Sequence, residues 1–79
     1  MGLFNFNKIT KTYLQHTEGK HTYEVKGGIK NFLYVDGVEC DFGWGDLSYD
    51  EKGLHVEVKI EGGTMNLFVN DVLVKHVKL

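Results

Sequence analysis

Residues 54–74 read LHVEVKIEGGTMNLFVNDVLV, and this stretch predicts three antiparallel β-strands. From Leu54 to Glu61 every second residue is aliphatic, and the residues between them are His, Glu or Lys. A period of two is typical of a strand that buries one face and exposes the other. The Gly62-Gly63 and Asn70-Asp71 pairs suit two tight hairpin turns, because glycine and asparagine tolerate positive φ. The stretch is therefore expected to form a meander.

The two turns set strand pairings that agree with each other. With two-residue loops, Leu67 faces Val74 and Met65 faces His76 in the third strand. Every aliphatic residue of this stretch except Leu73 then falls on one face. Because a slip of one residue would turn every side chain over, this agreement predicts the register as well as the strands.

The first half of the chain follows the same plan. Asp36-Gly37 is a type I′ hairpin signal. It places Cys40 beside Leu33 on the inward face, where a thiol is an inert core group. A three-residue loop over residues 27–29 is expected before this hairpin. That loop length places one apolar set on a single face, namely Tyr23, Val25, Leu33 and Val35.

The two halves also echo each other in sequence. Residues 20–42 and 54–78 share the pattern of a Glu-Val-Lys strand, a glycine pair and an aromatic-Val-Asx turn, at offsets of 33 to 35 residues. An internal duplication explains the echo, and so does convergence of hairpins on the same turn chemistry. Because each half has one apolar face, the two faces must cover each other. Residues 1–79 are therefore expected to form a single all-β domain, a small antiparallel β-sandwich or flattened barrel of about seven strands built from hairpin meanders.

Residues 43–53 are expected to be the one long connection between the two sheets. Ser48 and Glu51 have the spacing of a capping box, which predicts a single helical turn there. Trp44 stands between two glycines in this connection. A small core needs large side chains, so Trp44 is expected to close the end of the sandwich. The apolar residues 3–6 are a candidate cover for an open sheet edge.

Composition excludes several classes of function. All nine basic residues are lysine and the formal net charge is −2. Without arginine the chain lacks the planar fork that reads phosphates and base edges, so nucleic-acid binding is disfavoured. No stretch approaches the length of a membrane span. The single cysteine, Cys40, forbids an intrachain disulfide and favours a reducing, cytoplasmic location.

The outward face of the first sheet is the candidate binding surface. The predicted register places three aromatic side chains on it with an acidic frame, a set of six residues: Tyr13, Glu24, Phe32, Tyr34, Glu39 and Asp41. Clustered rings on a soluble domain usually mark a contact surface. Ordinary cross-strand packing of half-exposed rings explains the cluster equally simply. The expected partner is another protein or a second copy of this chain, and an acidic frame suits a basic surface.

Other chemistry has weaker support in the sequence. A turn at Glu18-Gly19 would pair His16 with His21, but no third ligand is indicated, so no metal or cofactor is expected. Ser48, the only serine, has no histidine placed to activate it, and an enzyme is not expected. The alternative function is a carbohydrate or small-ligand binder that uses Trp44 and Tyr49, whose rings could stack on a sugar.

Overall fold

The computed structural model describes residues 9–79, with side chains from residue 11 onward, and the regular structure in this range is entirely β. Eight antiparallel strands form two four-stranded sheets, each a meander in sequence order. The first sheet consists of β1 (Ile9–Glu18), β2 (His21–Gly28), β3 (Asn31–Val35) and β4 (Val38–Gly43). The second consists of β5 (Leu47–Glu51), β6 (Leu54–Glu61), β7 (Thr64–Val69) and β8 (Val72–Lys78). The all-β prediction is confirmed, with eight strands in place of about seven; residues 3–6 lie outside the described range.

The additional strand is β5, which lies within the segment predicted to be a loop with one helical turn. Leu47 is buried and Tyr49 packs against the core, while Ser48 between them is exposed. The segment pairs with β6, so that Leu47 lies opposite Val58. The helical turn was wrong because alternation over five residues, with a partner strand supplying ladder hydrogen bonds, outweighs a local capping signal.

The core lies between the two sheets, and each sheet contributes five of its ten buried residues. They are Leu14, Tyr23, Val25, Leu33 and Val35 from the first sheet, and Leu47, Val56, Val58, Met65 and Leu67 from the second. Full burial of one such aliphatic side chain is worth about 1.5–3 kcal/mol. The inward phase predicted for the aliphatic residues of both central strand pairs is confirmed by this core.

Bulges in β4 and β8 change the predicted register of those strands beyond their hairpins. In β8 the extra residue is Val74, so that Met65 lies opposite Val77 and not opposite His76. In β4 the extra residue is Cys40, which leaves Leu33 opposite Asp41. A bulge sets two residues against one and turns the strand beyond it by one position. Strict alternation could not predict either bulge, because the hairpin turns fit the pairing with a bulge and the pairing without one.

The last pair between β2 and β3 is Gly27 with Asn31, so residues 28–30 connect the paired positions in place of the predicted residues 27–29. Both choices have three residues, so the predicted faces of both strands are retained. The pairing moves by two residues, which places Glu24 opposite Tyr34 and Lys26 opposite Phe32. The composition of each cross-strand row on the outer face therefore differs from the prediction.

The two halves share one architecture, with equivalent residues 33 or 34 positions apart. In the first half Asp36 N donates to Thr22 O at 2.8 Å, and Asp36 Oδ1 accepts from Thr22 N at 2.9 Å. In the second half Asn70 and His55 make the same two bonds at 2.7 and 2.8 Å. Each outer hairpin turn is thereby held to the neighbouring strand by one short Asx side chain. Duplication and convergent turn chemistry both produce such an equivalence.

The two sheets are joined by residues 44–46, a segment held by aspartates. Asp41 Oδ2 accepts from Ser48 N at 2.9 Å, and Asp46 Oδ1 accepts from Ile60 N at 2.9 Å. We call this end of the molecule the crossover end. The four hairpin turns that follow β1, β3, β5 and β7 lie at the opposite end, the hairpin end. No membrane-spanning helix is present among residues 9–79.

Candidate interaction surface

The outer face of the first sheet carries a cluster of rings toward the crossover end. We call Ile29, Phe32, Tyr34, Phe42 and Trp44 together the aromatic face. Trp44 is 73% exposed, Ile29 64% and Phe42 53%, whereas Phe32 is only 3% exposed. Three large apolar side chains near one another in solvent are unusual on a small domain, because their transfer out of water is favourable.

Two lysines lie over the rings of the aromatic face. Lys26 Nζ is 4.8 Å from the centroid of the Tyr34 ring. Lys30 Nζ is 4.8 Å from the centroid of Phe42 and 5.9 Å from that of Trp44. At these distances an ammonium is attracted to the ring, by about 0.5–1 kcal/mol at an exposed site. Lys30 therefore links Phe42 with Trp44, and with both lysines present the charge of the aromatic face is mixed rather than acidic.

A shallow cavity of about 270 Å³ opens on this surface. Its lining is largely apolar and consists of Ile29, Lys30, Phe32, Glu39 and Phe42. The Phe32 and Phe42 rings meet at 6.2 Å between centroids, with planes tilted by 56°. The cavity thus has a buried ring as its floor, an exposed ring as one wall and one charge of each sign at its rim.

Four of the six predicted binding residues lie on this outer face, and three of them, Glu24, Tyr34 and Glu39, form one cross-strand row. Glu24 faces Tyr34 across β2 and β3, and Tyr34 faces Glu39 across β3 and β4. The Tyr34 hydroxyl donates to Glu39 Oε1 at 3.5 Å. Partial burial first, and the Glu39 carboxylate second, raise the pKa of Tyr34 above its ordinary value. Tyr34 is therefore a neutral donor under ordinary conditions.

Tyr13 is not on the aromatic face, and its predicted outward position is wrong. The pairing of β1 with β2 slips between Thr12 and Leu14, and the Tyr13 side chain packs against the core. Its ring lies over Gly27, where an added Cβ would be 2.0 Å from Tyr13 Cε2. The glycine leaves the space that the ring fills, which alternation in β1 could not indicate.

Phe32 and Asp41 are less available to a partner than predicted. Phe32 is on the outer face but buried, so a partner would meet its edge only through the cavity. Asp41 is turned toward the crossover, where its carboxylate accepts from the backbone N–H groups of Phe42 and Ser48, each at 2.9 Å. Phe42 takes the place opposite Phe32 that Asp41 was predicted to hold, because the bulge at Cys40 shifts the strand.

The structure does not bring Trp44 and Tyr49 into one site. Trp44 does not plug the sandwich, since nearly three quarters of it is exposed. Tyr49 lines a different cavity, of about 400 Å³, between the sheets at the hairpin end. There its hydroxyl donates to Glu51, and this bond, aided by burial, raises the pKa of Tyr49 to about 12.

The hairpin-end cavity also holds the first sheet's histidine–aspartate pair. His21 Nδ1 lies 2.7 Å from Asp36 Oδ2. The hydrogen bond from His21, and then that from Thr22 N, lower the pKa of Asp36. Cys40 lines the same cavity, and its thiol donates to Val38 O at 3.3 Å. This cavity is open and lined by both polar and apolar side chains, and its hydrogen bonds hold the turn between β3 and β4 to β2.

His16 and His21 are not a cross-strand pair, because the β1–β2 turn is at Gly19-Lys20 and not at Glu18-Gly19. His16 lies opposite Tyr23, with ring centroids 6.4 Å apart, and its Nε2 is 3.1 Å from Glu18 Oε1. Each histidine therefore has its own carboxylate. A turn shifted by one residue separates them, and the sequence offered tight-turn residues at both positions.

Phe42 and Ile29 are surface residues that sequence reasoning missed. Phe42 lies beyond the bulge, and Ile29 lies in a loop, where alternation carries no information about exposure. The usable signal was compositional, since two large apolar residues and a tryptophan lie beside glycines at the same end of the sheet.

Comparisons with protein-family models, curated proteins and solved structures found no match to this chain.

Proposed function

We propose that this chain is a small, non-enzymatic β-sandwich protein that acts by protein–protein interaction through the aromatic face. The observation that carries the proposal is the joint exposure of Ile29, Phe42 and Trp44 beside one apolar cavity. Protein interfaces favour aromatic residues in the centre and charged residues at the rim. The aromatic face has that arrangement, with Lys30 and Glu39 at its border.

The matching surface is a protein surface with an apolar projection and charges of both signs around it. The cavity floor at Phe32 accepts one apolar side chain, and the rim offers Lys30 and Glu39 for ion pairs. A second copy of the chain and an unrelated protein both satisfy this description. Regulatory, inhibitory and self-associating roles all use surfaces of this kind, with the rim charges governing which partners are rejected.

Phe42→Lys tests the proposal, with Val72→Lys as its matched control. Both positions are more than half exposed, but Val72 lies in β8 of the other sheet. Each chain is immobilised, challenged with lysate of the source cells, and separately sedimented over a range of concentrations. We expect the wild type and Val72→Lys to capture the same partner from the lysate, or to self-associate to the same extent in sedimentation. We expect Phe42→Lys to bind at least tenfold more weakly, as loss of a hot-spot ring of about 2 kcal/mol implies.

Circular dichroism of all three chains establishes that each variant is folded before binding is compared. Equal capture and equal sedimentation by the wild type and Phe42→Lys would remove the aromatic face as the binding surface.

The second candidate function is carbohydrate or small-ligand binding, and the exposure of Trp44 favours it. An exposed indole stacks readily on a sugar ring. Tyr49 does not share that site, so the ligand would contact Trp44 and Phe42 instead of the predicted pair. A change in Trp44 emission on titration with simple sugars, absent with Phe42→Lys, distinguishes this function from protein binding.

A further inference from the structure

A histidine and two carboxylates converge on the outer side of the second sheet, away from the aromatic face. His55, Glu57 and Asp71 each offer one ligand atom, and these atoms lie within 4.8 Å of one another. Among the described residues this is the one group of three such ligands. His55 and Glu57 alternate outward along β6, and Asp71 comes from the turn between β7 and β8.

Asp50 orients the imidazole of this group. His55 Nδ1 lies 2.5 Å from Asp50 Oδ1 on the paired strand β5, while Nε2 points toward Glu57 Oε2 at 3.6 Å. A histidine that donates one ring nitrogen to a carboxylate presents the lone pair of the other nitrogen to a cation. Because His55 and Glu57 are only about one-third exposed, both are held by the sheet and do not move freely.

The turn that carries Asp71 is tied to His55 by the backbone. Asn70 N donates to His55 O at 2.7 Å, and His55 N donates to Asn70 Oδ1 at 2.8 Å. Asp71 follows directly at φ +68°, a left-handed conformation that glycine adopts more readily. The third ligand, Asp71, is therefore placed beside the histidine by two hydrogen bonds of its neighbour Asn70 and by a conformation that an aspartate adopts at some cost.

The first sheet shows that the scaffold does not require these side chains. The positions equivalent to His55, Glu57 and Asp71 are Thr22, Glu24 and Gly37. The same strand, turn and Asx hydrogen bonds form there, and Gly37 has φ +81° in the place of Asp71. Since the first half folds in the same way without counterparts of His55 and Asp71, neither residue is needed to build the turn.

We propose that His55, Glu57 and Asp71 bind one divalent first-row transition cation, with Asp50 as the positioning residue. One imidazole nitrogen with two carboxylate oxygens is a donor set that Zn²⁺ accepts, with ligand distances of about 2.0–2.2 Å. Because the ligand atoms now lie up to 4.8 Å apart, such distances require Asp71 to move inward, which its exposed position in a turn permits. Three protein ligands on an open surface leave water or a partner's side chain in the remaining positions.

Calorimetric titration of the untagged chain with zinc chloride above neutral pH tests this site. Asp71→Gly is the decisive variant, because it copies Gly37, removes a ligand and relieves the left-handed aspartate. We expect the wild type to bind one Zn²⁺ and Asp71→Gly and His55→Gln to bind at least tenfold more weakly. His21→Gln is the matched control, since His21 is hydrogen-bonded to Asp36 in the first sheet and lies outside the proposed site, and the affinity of this variant should equal that of the wild type.

The nitrogen spectrum of the histidine rings supplies a second readout, in which Zn²⁺ should shift His55 Nε2 and leave the His21 nitrogens unchanged. Melting temperature without zinc should be equal or higher in Asp71→Gly, so lost binding cannot be attributed to unfolding. The proposal is overturned if the wild type binds no zinc, if Asp71→Gly and His55→Gln bind it as tightly as the wild type, or if His21→Gln weakens binding as much as they do.

Discussion

Gly27 shows how a single residue decides where a large side chain goes. It is buried in β2, and the Tyr13 ring occupies the space that any Cβ there would need. Lys11 Nζ lies over the same ring at 4.6 Å from its centroid. Gly27 thus leaves room for the Tyr13 ring to pack against the core, although alternation predicted that this ring faces solvent.

Replacement of Gly27 by alanine is expected to lower the free energy of unfolding by about 1–3 kcal/mol, because the added methyl group overlaps Tyr13. In a domain of this size each kcal/mol lowers the melting temperature by about 4–8 °C. Gly45→Ala is the control, since no atom lies within 4 Å of its added Cβ. Differential scanning calorimetry measures both. In a Tyr13→Ala background the Gly27→Ala penalty should shrink, and an undiminished penalty would locate the strain elsewhere.

At the scale of elements, the same turn chemistry is used twice with different residues. Asp36 and Asn70 each accept a backbone N–H of the neighbouring strand through Oδ1. Asp36, which can carry a charge where Asn70 cannot, also forms a hydrogen bond with His21 through Oδ2. The stability of the first hairpin therefore depends on whether the Asp36 carboxylate is protonated. Asn70 does not titrate, so the second hairpin has no such dependence at the equivalent position.

Asp36→Asn should remove part of the acid sensitivity of folding. The pKa of Asp36 is lowered in the folded state, so its contribution to stability is present above the ordinary carboxyl pKa. That contribution is lost as pH falls through the lowered value. We expect the urea midpoint of Asp36→Asn to be slightly below that of the wild type at neutral pH and to fall less in acid. Glu61→Gln controls for the loss of one exposed negative charge, and identical acid profiles of wild type and Asp36→Asn would contradict the assignment.

For the whole molecule, neither sheet has a core of its own. Leu33 and Leu67 are fully buried at equivalent positions of the first and second sheets. Each packs in the single cluster between the sheets. A small domain that shares one core is expected to unfold in one cooperative transition, because each sheet exposes its apolar face when the other leaves.

Leu33→Ala and Leu67→Ala should each lower the free energy of unfolding by about 2–5 kcal/mol, the usual result of a large-to-small change in a core. Both should shift the same single transition, whether it is followed by Trp44 fluorescence near the first sheet or by far-ultraviolet circular dichroism. Leu73→Ala is the control, because that side chain is 47% exposed and should matter little. Two separated transitions in either variant would show that the sheets unfold independently.

Much of the fold could be predicted, because alternation and turn residues are local properties. Val56, Val58 and Leu67 were assigned inward from the period of two, and the Asp36-Gly37 pair located its hairpin. The binding surface was predicted less well. Tyr34 lies on the predicted face, but Phe42 takes the place of Asp41 and Tyr13 turns inward. Those differences arise from bulges, whose position depends on how both strands pack and not on either strand alone.

The sequence by itself determined which side of each strand is apolar and where the chain can reverse, since these follow from residue type and neighbour spacing. Only the tertiary structure decided that residues 47–51 form a strand, that Trp44 is exposed, and that His55 meets Asp71. Each of those outcomes depends on a partner distant along the chain, and the free energy of the packed pair overrides the local preference.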